Sequence, residues 1–126
     1  MCTAPIVVPL IIRLSVGLHE RRIVLPVDKT IHLGRIDPAL GVYPEIDFTS
    51  DGPEAKSVSR RHASISRTDK GILVEDLGSV TGTFVNSERL APFLPEILDD
   101  GDELQLGKLR VSVGIDETIL ADRPKL

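Results

Sequence analysis

Short runs in which apolar and polar residues alternate recur along the chain, and they constrain its fold more than any other feature. Ile12, Leu14 and Val16 alternate with Arg13 and Ser15, and this period of two is that of a half-buried strand. Further strands are predicted at Ile23 to Val27, Ile31 to Leu33, Ile46 to Phe48, Ala63 to Ile65, Ile72 to Leu77, Thr83 to Val85, Leu104 to Leu106 and Leu109 to Val113. Gly, Pro and Asp residues separate the runs, and no stretch has a convincing helical period. The pattern predicts an all-β antiparallel sandwich of about 10–11 short strands.

The length and composition indicate one domain with an aliphatic core. The 126 residues are 41% hydrophobic and 27% charged, which suits one globular unit. Aromatic residues make up only 3%, so Val, Ile and Leu must fill the core. We expect the domain to span residues 10–115, after a flexible segment 1–9 and before a polar tail 116–126. The sequence is compatible with a module that belongs to a longer protein, and equally with a small natural protein.

Charge and cysteine content argue against several classes of function. A net charge of −4 and an isoelectric point near 5.3 disfavour a general attraction to nucleic acid. Cys2 is the only cysteine, so neither an internal disulfide nor a cysteine metal cluster can form. His19 and His32 lack metal-ligand spacing. We therefore predict neither a metal nor a cofactor.

The apolar run from Pro5 to Ile12 is too short to span a membrane. Pro9 interrupts it and Arg13 ends it, well before the ~20 residues that a spanning helix needs. No basic segment precedes it, which disfavours a secretory signal. The sequence thus predicts a cytoplasmic protein without membrane insertion.

Three polar stretches lie where the alternation breaks, so we expect them in loops at strand ends. They are Gly34-Arg35, Ser59-Arg60-Arg61-His62 and Gly78-Ser79-Val80-Thr81-Gly82. Loops on a β scaffold are a common way to build a binding site. If the three converge, the site is cationic and rich in hydroxyls, which suits a phosphate group with its double charge and three acceptor oxygens. The pattern favours binding a phosphate over cleaving a bond.

These stretches resemble the forkhead-associated (FHA) domain family. The resemblance rests on Leu33-Gly34-Arg35, Ser59-Arg60-Arg61-His62-Ala63 and the run from Asp76 to Asn86, in that order, and it covers most of the chain as far as Val113. The family is an all-β module that binds phosphothreonine peptides in signalling. The resemblance therefore implies a non-enzymatic domain whose partner is a protein or peptide phosphorylated on threonine, and threonine is preferred because the family's pocket accepts its methyl group.

The resemblance also assigns roles to single residues. It implies that Arg35 contacts the phosphate, that the Ser59 hydroxyl donates to it, and that Arg60 touches the peptide. An arginine fork at a strand end can bind phosphate oxygens in a bidentate way. The alternative for Arg35 is a surface arginine, and for Ser59 a turn closed through its own hydroxyl. We expect Arg61 to face solvent.

Four residues are predicted to support the site without binding the ligand. The family uses the histidine that matches His62 to hold the site loops. Gly34 precedes Arg35 at a strand end, and Gly82 permits tight turning of its loop. Asn86 is expected to fix the turn after its strand.

The chain departs from the family pattern in the third loop. Where the family usually has Ser-Thr-Asn-Gly, this chain has Ser79-Val80-Thr81-Gly82. The family's asparagine holds the peptide backbone through its amide, whereas Thr81 has a shorter hydroxyl. Val80 also lacks a hydroxyl near the phosphate. Each lost hydrogen bond costs about 0.5–1.5 kcal/mol. We therefore expect Val80 and Thr81 to line the peptide site, and we expect the site to bind phosphopeptides with lower affinity and selectivity than the usual family pattern gives.

Two other functions remain open from the sequence. The altered Val80-Thr81 pair favours a phosphate-independent interaction or self-association domain, in which the sheet faces make the contact. Removal of the Arg35 charge would abolish phosphopeptide binding and leave this alternative undisturbed. Ser59, His62 and Asp76 offer the residue types of a hydrolase triad, but no nucleophile elbow frames Ser59.

Overall fold

The computed structural model describes residues 9–117, and within them the chain forms eleven strands. Their bounds are β1 (Leu10–Val16), β2 (His19–Leu25), β3 (Thr30–Gly34), β4 (Ile46–Asp47), β5 (Ala63–Thr68), β6 (Gly71–Asp76), β7 (Thr83–Val85), β8 (Glu88–Arg89), β9 (Glu96–Ile97), β10 (Glu103–Leu106) and β11 (Leu109–Glu117). Two short 3-10 helices occupy Pro38–Leu40 and Pro53–Ser57. None of the helices described is long or apolar enough to cross a membrane.

The strands form the two sheets of a β-sandwich, which confirms the predicted fold class. One sheet has the order β2-β1-β11-β10-β7-β8 and the other the order β4-β3-β5-β6-β9. All pairs are antiparallel except β3 and β4, which pair in parallel with Leu33 opposite Ile46. A parallel pair needs a crossover connection. The irregular stretch between Arg35 and Glu45 provides it, and the alternation pattern gives no sign of this.

The core between the sheets is aliphatic, as the composition predicts. Alternate residues of the first strand, Ile12 and Leu14, are fully buried, and so are Leu33, Ile65 and Leu104 from other strands. Phe48 is the aromatic residue that joins them in the core. Burying such side chains is the main favourable term in folding, and each contributes about 1.5–3 kcal/mol.

Several strand boundaries differ from the prediction. Val27 lies beyond β2 and Phe48 lies just after β4, although the Phe48 amide still donates to the Gly34 carbonyl at 2.9 Å. Strands β8 and β9 have two residues each and were not predicted. Strand β11 continues to Glu117, past the expected domain end at residue 115. The predicted segment 1–9 and tail 116–126 lie mostly outside the described residues, so these boundaries stay predictions.

The register of the second sheet brings three strand ends to one edge. Leu33 near the end of β3 pairs with Ala63 at the start of β5, and Ala63 pairs with Asp76 at the end of β6. The segment after β3, the segment before β5 and the segment after β6 must therefore lie side by side. These are the three polar stretches identified in the sequence.

Three further features locate this edge within the sandwich. Arg21 on β2 forms an ion pair with the buried Asp51, which joins the long loop before β5 to the opposite sheet. At the other end of the sandwich, the first residue of β1, Leu10, pairs with the last residue of β11, Glu117. The β10–β11 turn at Gly107 lies at the loop edge, because the Gly107 amide donates to the Gly82 carbonyl at 2.9 Å.

Candidate functional site

An open cleft of about 680 Å³ lies at the edge where the three strand ends meet. All five residues predicted to contact a ligand line it: Arg35, Ser59, Arg60, Val80 and Thr81. Lys56 and Arg61 add further positive charge, while Asp37 is the carboxylate of the lining. The cleft is therefore a cationic region on an acidic chain, and this arrangement attracts an anionic ligand.

Arg35 lies half-buried directly after β3. Its Nε donates a hydrogen bond to the Val58 carbonyl oxygen, and its backbone amide donates to the Arg60 carbonyl oxygen at 3.3 Å. Within residues 9–117 its two terminal guanidinium nitrogens have no partner. The side chain is thus oriented through Nε while both terminal nitrogens remain available, which is the geometry of bidentate binding to a phosphate.

Ser59 has a hydroxyl with an unused proton. Its Oγ accepts a hydrogen bond from the Val80 amide at 3.1 Å, and no described residue accepts the hydroxyl hydrogen. The Ser59 amide donates instead to His62 Nδ1 at 2.9 Å. A serine whose oxygen is fixed by one donor and whose proton is unused can donate to an anion in the cleft.

Arg60 forms an ion pair with Asp37 across the cleft. Its Nη1 lies 3.0 Å from Asp37 Oδ2, and this hydrogen bond is the main reason that the pKa of Asp37 lies below its usual range. The other oxygen, Asp37 Oδ1, accepts from the Leu40 amide at 3.3 Å and caps the 3-10 helix Pro38–Leu40. Arg60 therefore also orders the loop after β3. Arg61 is exposed, as expected.

His62 is fully buried and connects two of the site loops. Nδ1 accepts the Ser59 amide hydrogen, so the ring proton lies on Nε2, which donates to the Gly82 carbonyl at 2.8 Å. Burial lowers the pKa of His62, although the Gly82 carbonyl and Asp76 partly oppose this. The ring is thus neutral, and both nitrogens are used within the fold.

The loop after β6 is organised by the buried carboxylate of Asp76. Asp76 accepts hydrogen bonds from the Ser79 hydroxyl and from Thr83 Oγ1, and also from the amides of Gly78 and Ser79. Burial alone would raise the pKa of Asp76, but these donors outweigh it and lower the pKa. The loop conformation is therefore fixed before any ligand binds.

The two unusual residues of this loop behave differently. Thr81 donates its hydroxyl hydrogen to the Ser57 carbonyl at 2.7 Å, so only its oxygen lone pairs remain for a ligand. Val80 projects into solvent and is 88% exposed. The loop therefore presents an apolar side chain at its tip, and Thr81 joins it to the segment before β5.

Two glycines allow the loops to approach closely. A Cβ atom on Gly34 would lie 1.9 Å from the Arg60 carbonyl oxygen, so any side chain here would force the two strand ends apart. Gly82 adopts a φ of +93°, which favours glycine. A side chain there would also meet the Arg89 guanidinium at 2.9 Å.

Asn86 is not brought to the cleft. It forms the turn between β7 and β8, where its Oδ1 accepts from the Glu103 amide at 3.0 Å and its Nδ2 donates to Asp102 at 2.9 Å. Its φ of 50°, like that of Ser87 at 72°, fits a tight two-residue hairpin turn. Asn86 thus fixes two turns at the far end of β7.

Several residues of the site were not predicted from the sequence. Asp37, Ser57 and Lys56 line the cleft, and Ser57 Oγ also accepts the Lys108 amide at 2.7 Å. Asp37 and Arg60 are 23 positions apart, so local spacing cannot reveal their contact. The capping position of Asp37 before Pro38 is the signal that could have marked it.

The described part of the chain contains no group of His, Cys, Asp or Glu side chains arranged to hold a metal ion. The fold and the cleft define a recognition module built on a β-sandwich, with a prearranged cationic site at its loop end.

The family model of the FHA domain matches residues 31–107, which is more than half of the chain. The chain belongs to the FHA domain family. The predicted function, recognition of phosphothreonine segments of partner proteins in signalling, is thereby confirmed at the level of the family. The phosphate-independent alternative is not favoured.

Individual relatives agree with this assignment. The chain is 43% identical over 79 residues to the oxoglutarate dehydrogenase inhibitor of Corynebacterium diphtheriae, which covers 63% of this chain and 51% of that protein. It therefore spans about half the length of that curated relative. The solved FhaA FHA domain, complexed with the intracellular domain of Rv3910, is 27% identical with a TM-score of 0.61 and covers 82% of this chain and 98% of its own. A domain studied for phosphothreonine-dependent FHA interactions is 27% identical with a TM-score of 0.62, covering 84% of this chain and 95% of its own.

Proposed function

We propose that the cleft binds the phosphothreonine of a partner protein through Arg35 and Ser59, with Arg60 and the Val80-Thr81 loop against the peptide. The observation that carries this assignment is the set of unused donors directed into one cleft. Arg35 offers two terminal nitrogens and Ser59 a hydroxyl proton, beside the cations Lys56 and Arg61, which pair with no carboxylate in the described part of the chain. A phosphate dianion with three acceptor oxygens matches these donors in charge and number.

We expect Arg35→Ala to weaken phosphothreonine binding more than any other single change in the cleft. Hydrogen bonds to charged groups contribute about 1.5–3 kcal/mol, which corresponds to a loss of about tenfold to a hundredfold in affinity. Arg35→Lys keeps the charge but not the fork, so we expect an intermediate loss. Titration with an oriented phosphothreonine peptide library, and then with one selected peptide and its unphosphorylated copy, measures these effects.

Arg110→Ala is the matched control. Arg110 lies on β11 with an exposed side chain and is paired only with Glu103 among the described residues, so this change removes the same charge outside the cleft. Equal binding of phosphorylated and unphosphorylated peptides, or an equal loss in Arg35→Ala and Arg110→Ala, contradicts the proposal.

The contacts of His62 support a module that binds without cleaving. A triad histidine must accept the proton of the nucleophile, but His62 Nδ1 already accepts the Ser59 backbone amide. Asp76 bonds to Ser79 and Thr83, and no hydrogen bond joins it to His62 within the described residues. We therefore propose a non-enzymatic role.

We further propose that the protein acts in the cytoplasm as a regulator that recruits or restrains a phosphorylated partner. The likeness to the oxoglutarate dehydrogenase inhibitor supports a regulatory role. Capture of partners from lysate by the wild type but not by Arg35→Ala, before and after phosphatase treatment, tests this role.

A further inference from the structure

The connection from β8 to β9 presents a continuous apolar patch to water. From residue 91 to residue 97 every residue except Glu96 is apolar, and every one is exposed. The large side chains of Phe93, Leu94 and Ile97 have 63%, 56% and 47% of their surfaces exposed. Single apolar residues scattered over a surface need no explanation, whereas a contiguous patch rimmed by polar groups indicates an interaction site.

Phe93 occupies a backbone position that does not suit it. The Leu94 amide donates to the Ala91 carbonyl at 3.3 Å, which closes a turn with Pro92 and Phe93 at its centre. Phe93 has a φ of 61°, and a turn with proline at its second position and a positive φ at its third favours glycine or asparagine there. Burial offsets little of this strain, because the ring is mostly exposed. A strained residue of this kind points to a contact with another molecule.

A groove of about 310 Å³ continues the patch between β8 and β9, which are the edge strands of the two sheets. Apolar side chains and carboxylates line it together: Val85, Leu90 and Ile97 with Glu88, Glu96 and Asp99. A lysine or arginine fits such a lining, because its hydrocarbon stem packs on apolar surface while its charged end stays beside the carboxylates.

The charges of the groove are uncompensated and therefore define what can bind there. Glu88, Glu96 and Asp99 pair with no cation within residues 9–117. Arg89 also lines the groove, but its guanidinium lies over the Phe84 ring. A second copy of this chain would bring the same carboxylates against each other, since a twofold contact uses one patch on both subunits. Like charges facing each other are unfavourable, so the complementary partner is a different, basic polypeptide.

We propose that residues 88–99 form a second docking surface, which binds a partner polypeptide carrying a large apolar side chain close to a lysine or arginine. The apolar side chain packs against Phe93 and Leu94. The basic side chain enters the groove, with its stem on Ile97 and its charge beside Glu88 and Glu96. This docking is separate from the proposed phosphopeptide function and needs no phosphate, because none of these residues lines the cationic cleft.

The test begins with a displayed library of randomised unphosphorylated peptides, selected on the Arg35→Ala protein so that the cleft does not contribute. We expect the enriched peptides to share a large apolar residue with a lysine or arginine close to it in sequence. They should bind the wild type and Arg35→Ala with equal affinity, and a phosphothreonine peptide should not displace them. Their affinity should fall as salt is added, because the charges involved lie at an exposed surface.

Phe93→Asn and Glu96→Gln test the two parts of the surface. Phe93→Asn removes the apolar contact, so the selected peptides should bind at least about tenfold more weakly. Asparagine tolerates a positive φ, so the fold should be retained, and thermal denaturation checks this. Glu96→Gln should weaken binding and reduce its salt dependence. The matched controls are Leu18→Asn in the fully exposed β1–β2 turn and Glu54→Gln at another exposed position, and both should bind as the wild type does.

The contrary outcomes are distinct. Selection that enriches no common peptide class, or enriches peptides without a basic residue, overturns the inference, and so do equal affinities for the wild type, Phe93→Asn and Glu96→Gln. Displacement by a phosphothreonine peptide would make the surface part of the cleft and also overturns it. Concentration-dependent dimerisation that Phe93→Asn abolishes, measured by light scattering, overturns it in favour of a second copy. None of these results bears on phosphothreonine binding, which the comparison of Arg35→Ala with Arg110→Ala tests separately.

Discussion

At the scale of single residues, His62 contributes to the site through its neutral ring. One nitrogen must accept the Ser59 amide and the other must donate to Gly82, and only the neutral ring does both. Protonation would place a hydrogen against the Ser59 amide and break that contact. The same residue thus links the stability of the fold to the position of the Ser59 hydroxyl.

We expect the free energy of unfolding to fall as the pH drops below about 6.5, the usual pKa of histidine. The pKa of His62 is lowered in the folded state, so the unfolded chain takes up a proton first. The slope reaches at most about 1.4 kcal/mol per pH unit. Asp37, Asp47 and Asp76 have lowered pKa values, and their contributions disappear at lower pH, as the carboxylates protonate.

Urea denaturation of the wild type and of His62→Gln at a series of pH values separates these effects. The variant should be less stable throughout, because two hydrogen bonds and a packed ring are changed, and its slope near pH 6 should be smaller. Parallel pH profiles for the two proteins would show that His62 does not cause the slope.

The sequence predicted which residues line the cleft better than it predicted which residues position them. Arg35 and Ser59 occur in short motifs beside strand ends, and the motif order made their convergence predictable. Asp37 contributes through its ion pair with Arg60, 23 positions away, and Asp76 through its burial. The hydrogen bond from the Thr81 hydroxyl to the Ser57 carbonyl was also unpredictable, because it depends on how two loops pack.

At the scale of elements, the pairing of β5 with β3 and β6 assembles the site. Strong apolar alternation made most strands predictable. Strands β8 and β9 were missed because Glu88–Arg89 and Glu96–Ile97 are short and exposed and carry no alternation. The parallel pairing of β4 was missed because it depends on the path of the preceding loop, which Pro38, Gly41 and Pro44 mark only as irregular.

We expect Gly34→Ala to disrupt the junction of β3 and β5 and to abolish phosphopeptide binding. The new methyl group would overlap the Arg60 backbone, which cannot move without displacing Ser59. Overpacking of this kind costs about 1–3 kcal/mol or more. Denaturation and peptide titration of the same sample measure both effects.

Gly41→Ala serves as the comparison. Gly41 has a φ of +67°, but a methyl group at this position would meet nothing within 4 Å, so this change costs about 1 kcal/mol of backbone strain. Similar binding losses in both variants would mean that the approach of Gly34 to Arg60 is not what matters.

At the scale of the whole molecule, binding and folding are coupled because the cleft exists only in the folded state. A phosphothreonine peptide at a hundred times its dissociation constant should raise the free energy of unfolding by about 2.7 kcal/mol. The increase should shrink below about pH 6, where the phosphate takes up its second proton. Thermal shifts with the peptide and its unphosphorylated copy, at about pH 7.5 and pH 5.5, provide the measurement. Equal shifts with both peptides contradict phosphate recognition.

The pairing of Leu10 with Glu117 decides how the domain can be joined to other polypeptides. β11 begins beside the cleft at Leu109 and ends at Glu117, and its length puts the two positions about 26 Å apart at ~3.3 Å per residue. Both covalent connections of the sandwich therefore leave side by side at the end remote from the ligand. A fluorescent label, a surface anchor or a neighbouring domain attached at either point would not obstruct peptide access, so the domain is suited to insertion within other sequences.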